Sequence, residues 1–235
     1  MPQLVVAAAR LCRRLGRRWA LAGVDLEVAA GEAVMVFGGN GSGKTTLLRT
    51  LATALRPSAG RLELFGQAPD ERTPARLALL SHADYHYDAL SARENLELIS
   101  SSIAASPRPA GAPARVEDAL VMVGLLGRAD DRVQDFSAGM RKRLAIARLL
   151  YRAPELLLID EPYAQLDPAG AALIDQLLAR FRSWGRTLIV STHQLARVGP
   201  QCDRAVMIAA GKVAWTGAPA AAEAQLPDAP REVEP

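Results

Sequence analysis

The sequence predicts an α/β fold built on a mostly parallel sheet. Apolar, strand-like runs alternate with amphipathic, helix-like segments, which is the pattern of a parallel sheet connected through helices. Two runs, EAVMVFG (32–38) and ELLLID (155–160), are continuously apolar, as expected for strands buried on both faces. A length of 235 residues, half of them hydrophobic, suffices for one large domain.

The first half of the chain is predicted to contain five strands and two helices. A helix over KTTLLRTLATAL ends ahead of Pro57, and a helix over SARENLELISSSIAA begins with a capping box between Ser91 and Glu94. In chain order, the expected elements are strands at 3–8, 24–30 and 32–38, a helix at 44–55, strands at 60–66 and 76–82, and a helix at 91–105.

The second half begins with a linker, SPRPAGAPA (106–114), because proline, alanine and glycine dominate it. The expected elements after it are a helix at 115–126, a helix from about Met140, a strand at 155–160, a helix at 168–185 and strands at 186–192, 204–210 and 212–217. We therefore expect one domain over 1–218, with a helical subdomain at about 83–140 and a flexible C-terminal tail over 219–235.

Charge and cysteine content argue against a nucleic-acid-binding protein and against a disulfide-bonded one. The net charge is only +3, from 28 basic and 25 acidic residues, so the composition does not favour a nucleic-acid partner. Cys12 and Cys202 lack metal-site spacing and are expected to be free thiols rather than a disulfide. We find neither a signal peptide nor a run near the ~20 apolar residues of a membrane span. The expectation is a cytoplasmic protein, soluble when isolated, that reaches a membrane only through a partner.

GGNGSGKTT, which lies between an apolar strand and a helix, is a phosphate-binding loop. It matches the pattern G-x-x-x-x-G-K-[ST], in which glycines let successive N–H groups point inward and the following helix N-terminus adds positive potential. Lys44 is expected to reach the terminal phosphates, and the Thr45 hydroxyl to bind Mg²⁺. The residues expected to contact the nucleotide are Gly38, Gly39, Asn40, Gly41, Ser42, Gly43, Lys44, Thr45 and Thr46.

Acidic residues for such a site end the strand LLLID. Asp160 is expected to hold Mg²⁺ through water, and Glu161 to polarise the attacking water as a catalytic base. His193 ends another apolar strand, IVSTH, where it is expected to contact the γ-phosphate and the water. A histidine at this place is otherwise an ordinary polar surface residue, and its position downstream of the two acids favours the catalytic role.

A second small turn, FSAGMRKRL (136–144), also opens a helix. Ser137 is suited to donate its hydroxyl to a γ-phosphate, and Gly139 permits close approach of the backbone. Taken alone, the stretch is equally well an N-capped amphipathic helix. We expect most of Arg141, Lys142 and Arg143 to face solvent or neighbouring acids.

The loop GGNGSGKTT, FSAGMRKRL, LLLIDEP, QLD and STH, in this order over residues 4–217, resemble the nucleotide-binding subunits of ATP-binding cassette (ABC) transporters. The resemblance implies a P-loop NTPase fold of the ABC ATPase type, with a mostly parallel sheet core, an antiparallel β part and a helical subdomain. It also implies ATP and Mg²⁺ as ligands and membrane-spanning subunits as partners. The second turn, Ser137, Ala138, Gly139 and Met140, would then cap ATP on a second cassette of a head-to-tail homodimer.

Four positions depart from the family pattern. Leu15 aligns where an aromatic residue usually stacks on adenine, with Trp19 nearby. His82 replaces a glutamine that helps to bind Mg²⁺, and its role is either that of a substitute metal ligand or that of a loop histidine without function. Ala138 and Met140 replace glycine and glutamine in the second turn. Gln165 stands where smaller residues are common, while Asp167, expected to organise the dimer interface, is kept.

LLSHADYHYDALSARENLEL, with its histidine at the glutamine position, is similar to the ATP-binding subunits of cytochrome c biogenesis haem exporters. This resemblance implies work at the cytoplasmic face of the bacterial inner membrane, powering haem export by ATP-driven dimer closure. Exporters of drugs, lipids or polysaccharides share similar cassettes and stay open as alternatives. A soluble ABC ATPase acting on ribosomes or DNA is less well supported, because this chain has a single cassette. A non-hydrolysing regulator is less well supported because Glu161 is present.

Overall fold

Two β-sheets carry the fold of this chain. The computed structural model describes residues 3–81, 86–99, 108–164, 166 and 168–226. A three-stranded antiparallel sheet has the order β2-β1-β4, formed by β1 (Leu4–Leu15), β2 (Arg18–Ala29) and β4 (Ala59–Leu64). The order of the second sheet is β5-β6-β7-β3-β8-β9, and it is parallel except for β9. The predicted α/β class with an antiparallel part is confirmed.

The strands of the six-stranded sheet lie where the apolar runs predicted them. They are β3 (Ala33–Phe37), β5 (Leu77–Leu80), β6 (Leu156–Asp160), β7 (Thr187–Ser191), β8 (Arg204–Ala209) and β9 (Lys212–Gly217). Every residue of β3, β6 and β7 is buried, because these strands are covered on both faces. Helices of the described residues are α1 (Lys44–Leu51), α2 (Thr73–Arg76), α3 (Ala92–Glu97), α4 (Val116–Met122), α5 (Ala138–Arg152), α6 (Pro168–Ser183) and α7 (Leu195–Val198).

The two faces of the larger sheet bury separate apolar cores. Alternate residues of each strand point to opposite faces, so Val34 and Met35 belong to different cores. Leu47 of α1 packs with Val34 and the antiparallel sheet, whereas Leu144 of α5 packs with Met35, α4 and α6. Helices α1 and α5 therefore lie on opposite faces of the sheet.

Several predicted bounds were wrong. Strands β1 and β2 form one long hairpin across Gly16, whereas the sequence suggested only 3–8 and 24–30. Register shifts interrupt this hairpin and hide its alternation of apolar and polar residues. The helix expected over 44–55 ends at Leu51, since Thr53 adopts a left-handed φ of 61°. Helix α5 begins at Ala138 rather than near Met140, because Ser137 is its N-cap.

The helical subdomain and the linker were predicted in regions that the structure describes in part. The capping box is present: the Glu94 N–H donates to Ser91 Oγ, and the Ser91 N–H donates to Glu94 Oε2. Between residues 86 and 140, the described residues (86–99 and 108–140) form α3, α4, two short 3₁₀ turns and the start of α5. Helix α3 ends at Glu97, short of the predicted residue 105; residues 100–105 of that prediction and 106–107 of the linker lie outside the described residues.

The structure differs from the predicted flexible tail over residues 219–226. Two short 3₁₀ turns, Pro219–Ala221 and Glu223–Gln225, flank Ala222, which is fully buried in the core that also contains α5. Apolar packing thus holds this part of the chain, and residues 227–235 lie outside the described residues. None of the helices in the described part of the chain is long and apolar enough to cross a membrane.

Candidate functional site

The glycine-rich loop joins β3 to α1 and is braced by neighbouring strands. Gly38 has a φ of 143°, and a Cβ there would lie 2.1 Å from the carbonyl oxygen of Ile208. Gly43, the N-cap of α1, has a φ of 115°, and its Cβ would lie 2.5 Å from the carbonyl oxygen of Ala20. These two positions require glycine, since a side chain would have to overlap backbone atoms in a left-handed conformation.

The N-terminus of α1 opens toward the loop. The first hydrogen bond of the helix is donated by the Leu47 N–H to the Gly43 carbonyl, at 2.8 Å. The N–H groups of Lys44, Thr45 and Thr46 precede that bond, so they have no acceptor one turn earlier in the helix. A helix start of this kind is suited to hold phosphate oxygens. The nine residues named from the sequence form the loop over 38–43 and the first three residues of α1.

Lys44 is the buried cation of the site. Its Nζ donates to the carbonyls of Gly38 at 2.8 Å and Gly39 at 3.2 Å, and lies 3.3 Å from Nε2 of His193. Burial lowers the pKa of its ammonium group, and the carboxylates of Glu161 and Asp160 oppose that shift. An ammonium group only donates, so this contact is a hydrogen bond in the tautomer of His193 that leaves Nε2 without a proton.

Asp160 lies at the carboxyl end of β6, beside the start of α1. Its Oδ1 accepts hydrogen bonds from Ser191 Oγ at 2.6 Å and from Thr45 Oγ1 at 3.2 Å. Thr45 and Asp160 are the two described residues that the sequence predicts as metal ligands. They are 115 residues apart in the sequence, and the fold brings them into contact. His82, the third predicted metal ligand, lies outside the described residues, as do Gln165 and Asp167.

Glu161 follows Asp160 in a strained backbone conformation. Its φ is 48°, and its N–H donates to both the carbonyl and the Oγ of Ser191 at 3.1 Å. One carboxylate oxygen accepts from the His193 N–H at 3.2 Å. The other, Oε1, is buried 3.2 Å from His193 Nε2 and makes no hydrogen bond within the described residues. A buried carboxylate oxygen without a donor is suited to accept a hydrogen bond from a water molecule.

Ser191 is a site residue that the sequence analysis missed. It ends β7 directly opposite Asp160 in the parallel register, so its hydroxyl reaches the carboxylate while its carbonyl holds the Glu161 N–H. Its signal was a polar residue closing a continuously apolar strand, but only the strand register identifies its partner.

The second turn lies away from this cluster. Ser137 caps α5 by accepting the Met140 N–H at 3.3 Å, which leaves its own hydroxyl hydrogen available for another acceptor. Ser137, Ala138 and Gly139 are exposed, and Met140 is half-buried. Helices α5 and α1 pack on opposite faces of the sheet, and the exposed start of α5 is suited to hold an anion. Arg141 behind it pairs with Asp88, in line with the expectation for the basic residues.

The position expected to stack on adenine lies at the tip of the β1–β2 hairpin. Leu15 is 45% exposed and Trp19 is 53% exposed. The guanidinium of Arg14 lies 6.0 Å from the Trp19 ring centroid. Trp19 adjoins Ala20, whose carbonyl is close to Gly43, so it stands near the phosphate loop. The cysteines are half-buried free thiols, as expected.

Comparison with known proteins gives consistent results. A family model described as "ABC transporter" matches residues 21–164. A putative ABC transporter ATP-binding protein of Halobacterium salinarum is 38% identical over 96% of this chain and 98% of its own length. The cytochrome c biogenesis ATP-binding export protein CcmA of Pseudomonas syringae pv. tomato is 37% identical over 89% of this chain and 97% of its own.

Relatives with other names match about as well, at 36–40% identity; their names refer to phosphonate import, daunorubicin resistance and Nod factor export. Among solved structures, the ATP-binding cassette MJ0796 in a dimeric, post-hydrolysis state with ADP and Pi has a TM-score of 0.76. It is 25% identical, over 91% of this chain and 98% of its own.

Proposed function

Because this chain belongs to the ABC transporter family and is an ATP-hydrolysing subunit, we propose that it powers the haem exporter of c-type cytochrome biogenesis. The observation that carries the cargo assignment is the span of the likeness to the cytochrome c biogenesis export protein. The chain covers 97% of that relative, 65% of the daunorubicin resistance relative and 65–73% of two Nod factor export relatives; it also covers 98% of the Halobacterium relative, whose name states no cargo. The segment from His82 to LSARENL, singled out in the sequence, favours the same assignment.

A second candidate is the ATPase subunit of another ABC exporter. The names of the relatives span several cargoes at similar identity, which favours keeping this candidate. A cassette of this kind holds ATP and does not contact the cargo, so the two candidates share one chemical mechanism. They differ only in the membrane subunits that the chain would bind.

ATP recognition begins at the loop between β3 and α1. We assign the phosphates to the N–H groups at the start of α1, and the terminal phosphates to Lys44. In the structure without nucleotide, the Lys44 ammonium donates to two loop carbonyls, so it exchanges these partners for phosphate oxygens when ATP binds. Trp19 or Leu15 at the hairpin tip would contact the adenine ring.

Thr45 and Asp160 fit a Mg²⁺ ion. Their oxygens lie 3.2 Å apart, and hydroxyl and carboxylate oxygens are the ligands this hard cation prefers. The described residues contain no group of three His, Cys, Asp or Glu side chains able to hold a metal. Bound by Thr45 and Asp160, Mg²⁺ would neutralise charge on the phosphates. His82 is the third ligand we propose.

Glu161 and His193 would carry the hydrolytic step. Oε1 of Glu161, which has no hydrogen-bond donor within the described residues, accepts a hydrogen bond from a water molecule and orients that water toward the γ-phosphate. His193, held between Lys44 and Glu161, is placed to contact that phosphate and sense its presence. The water oxygen would form a bond to Pγ as the bond from Pγ to the oxygen bridging Pβ and Pγ breaks. The proton lost by the water would pass to Glu161 or to the phosphate, and ADP and phosphate would leave.

The exposed Ser137 turn supports a head-to-tail homodimer. A phosphate-binding helix start on the sheet face opposite α1 is suited to cap ATP on a second copy. ATP then acts as a ligand of the closed dimer, and its preferential binding to that state drives closure. Membrane subunits would convert closure into transport at the cytoplasmic face of the bacterial inner membrane. We also propose that Asp167 organises the dimer interface.

Affinity isolation tests the proposal. The Glu161→Gln variant would be expressed in the native host, purified from membranes with ATP, and its co-purifying proteins identified. Lys44→Ala, isolated in parallel, is the control for ATP-independent capture. Recovery of cytochrome c maturation subunits, with loss of c-type cytochromes in those cells, supports haem export. Recovery of a different permease transfers the assignment to the second candidate, and ribosomes or DNA would contradict the transporter assignment.

A further inference from the structure

Three side chains form a network that the proposed mechanism does not use. The Tyr163 hydroxyl donates to Asp175 Oδ1 at 2.6 Å. Arg197 donates to both oxygens of the same carboxylate, at 2.6 Å to Oδ2 and 3.3 Å to Oδ1. The Arg197 guanidinium also lies 4.6 Å from the centroid of the Tyr163 ring, so each of the three contacts the other two.

The network connects the two segments that carry the catalytic side chains. Tyr163 belongs to the turn after Glu161, in which the Ala164 N–H donates to the Glu161 carbonyl at 3.2 Å. Arg197 belongs to α7, which directly follows His193 and Gln194. Asp175 projects from α6 between them. Asp175, His193 and Arg197 line one open hollow at the surface.

The charges of the network make it persistent at neutral pH. Burial and the hydrogen bond to Asp175 raise the pKa of Tyr163, which therefore keeps its proton and remains a donor. Hydrogen bonding to Arg197 lowers the pKa of Asp175, which therefore stays ionised and remains an acceptor. Tyr163 is only 5% exposed, so its hydroxyl has little water to compete for this bond.

Glu161 needs support of this kind. Its left-handed φ is unfavourable for a residue with a side chain, and such a conformation persists only where neighbouring structure holds it. Ser191 holds the N–H side of the residue. The segment on its carbonyl side, Pro162 and Tyr163, is held by the hydrogen bond to Asp175. A phenylalanine at 163 would fill the same space, so the hydroxyl contributes orientation rather than volume.

We propose that Tyr163, Asp175 and Arg197 are positioning residues that fix the Glu161 carboxylate relative to His193. The inference rests on the proposed roles of those two residues and concerns no direct contact with ATP. It makes hydrolysis depend on a hydroxyl group buried behind the site. It also couples α6 to the segment after β7, so displacement of either would separate the catalytic pair.

Steady-state ATP hydrolysis by the full-length chain tests this. We expect Tyr163→Phe to lower kcat about 3- to 10-fold with KM for ATP within about twofold, because orientation of the water is lost and phosphate binding is kept. Arg197→Lys should lower kcat less than Arg197→Ala, since a lysine keeps the charge without the two-point contact. In a His193→Ala background, Tyr163→Phe should change kcat by less than about twofold.

Tyr151→Phe is the matched control. Tyr151 is also buried beneath an arginine, with the Arg108 guanidinium 5.4 Å from its ring centroid, but its hydroxyl makes no hydrogen bond within the described residues. It should leave kcat unchanged. Circular dichroism checks that each variant is folded. If Tyr163→Phe does not fold, the kcat of Arg197→Lys tests the inference instead.

The outcomes separate this inference from the proposed function. If Glu161→Gln abolishes turnover while Tyr163→Phe and Arg197→Lys behave as the unmodified chain, the network has no positioning role. An equal reduction by Tyr163→Phe with and without His193 would also overturn the inference, since the effect would then not act through that pair. If Glu161→Gln retains full turnover, the result contradicts the proposed catalytic role of Glu161, on which this inference rests.

Discussion

Nζ of Lys44 lies 3.3 Å from Nε2 of His193, although 149 residues separate them in the sequence. The contact joins the start of α1 to the end of β7 and brings Glu161 within reach of both. The cation that we propose binds phosphate and the proposed phosphate sensor thus lie side by side before any nucleotide is bound.

Removing the ammonium group of Lys44 should abolish ATP binding. We expect Lys44→Ala to weaken ATP binding by at least about 100-fold, because charge-assisted hydrogen bonds to the phosphates are lost. Isothermal titration calorimetry measures the change. Lys212→Ala, on exposed β9, is the control for loss of a lysine and should bind ATP normally. Wild-type affinity in Lys44→Ala would contradict our placement of the phosphates.

Neutralising Glu161 should separate binding from hydrolysis. Glu161→Gln keeps the size of the side chain but removes the base, so we expect kcat to fall by about 10² or more with ATP affinity retained. The variant should accumulate as a dimer with ATP and Mg²⁺, which size-exclusion chromatography with light scattering would detect. A monomer under these conditions would mean either that dimerisation requires the membrane subunits or that the role given to Ser137 is incorrect.

A bulky charge at Ser137 should prevent that dimer. In the Glu161→Gln background, Ser137→Arg should abolish ATP-dependent dimerisation, since the arginine fills the space of the proposed γ-phosphate contact. ATP affinity of the isolated chain should stay unchanged, because α5 and α1 lie on opposite sheet faces. Ser183→Arg, at the exposed end of α6, is the matched control and should dimerise. Weaker ATP binding by the Ser137 variant alone would argue for a contact within one chain.

Gly38 should tolerate no side chain. We expect Gly38→Ala to lower the free energy of unfolding by about 2–4 kcal/mol, because its Cβ would overlap a backbone oxygen of β8 in a left-handed conformation. Urea denaturation measures this. Gly39→Ala is the adjacent control, since its φ is not left-handed and no atom lies within 4 Å of its Cβ. Equal stability of the two variants would show that the loop relaxes easily.

Cys202, which lines a surface hollow together with residues 218–220, should resist alkylation. Burial raises the pKa of its thiol to about 12, so little thiolate is present near pH 8. We expect iodoacetamide to modify it at least about tenfold more slowly than an unfolded-chain cysteine, as read by mass spectrometry of peptides. Truncation before Pro219 should speed modification. An unchanged rate in the truncated chain would show that the segment does not protect the thiol.

The sequence predicted the parts of the fold that depend on local pattern. Continuous apolar runs identified β3 and β6, and the loop motif located Lys44 at the start of α1. The long β1–β2 hairpin was missed, because register shifts break its alternation and arginines occupy both strands near Gly16. The end of α1 depends on the backbone conformation of Thr53, for which threonine gives no signal.

The candidate site likewise contains some residues that the sequence reveals and others that only the fold reveals. Asp160 and Glu161 are recognisable because they close an apolar strand near a phosphate loop. Ser191 and Tyr163 are not, because their roles come from partners that only the fold supplies: the register of β6 against β7, and the approach of α6. A hydroxyl in a sequence does not reveal which carboxylate it will meet.

The location of α1 and α5 on opposite sheet faces has a consequence for mixed assemblies. If each ATP lies between α1 of one copy and Ser137 of the other, a Lys44→Ala chain and a Ser137→Arg chain carry defects that fall on the same one of the two composite sites. The other site then receives an intact half from each parent. Two inactive proteins should therefore complement each other when mixed, and the activity should vary with the product of their concentrations.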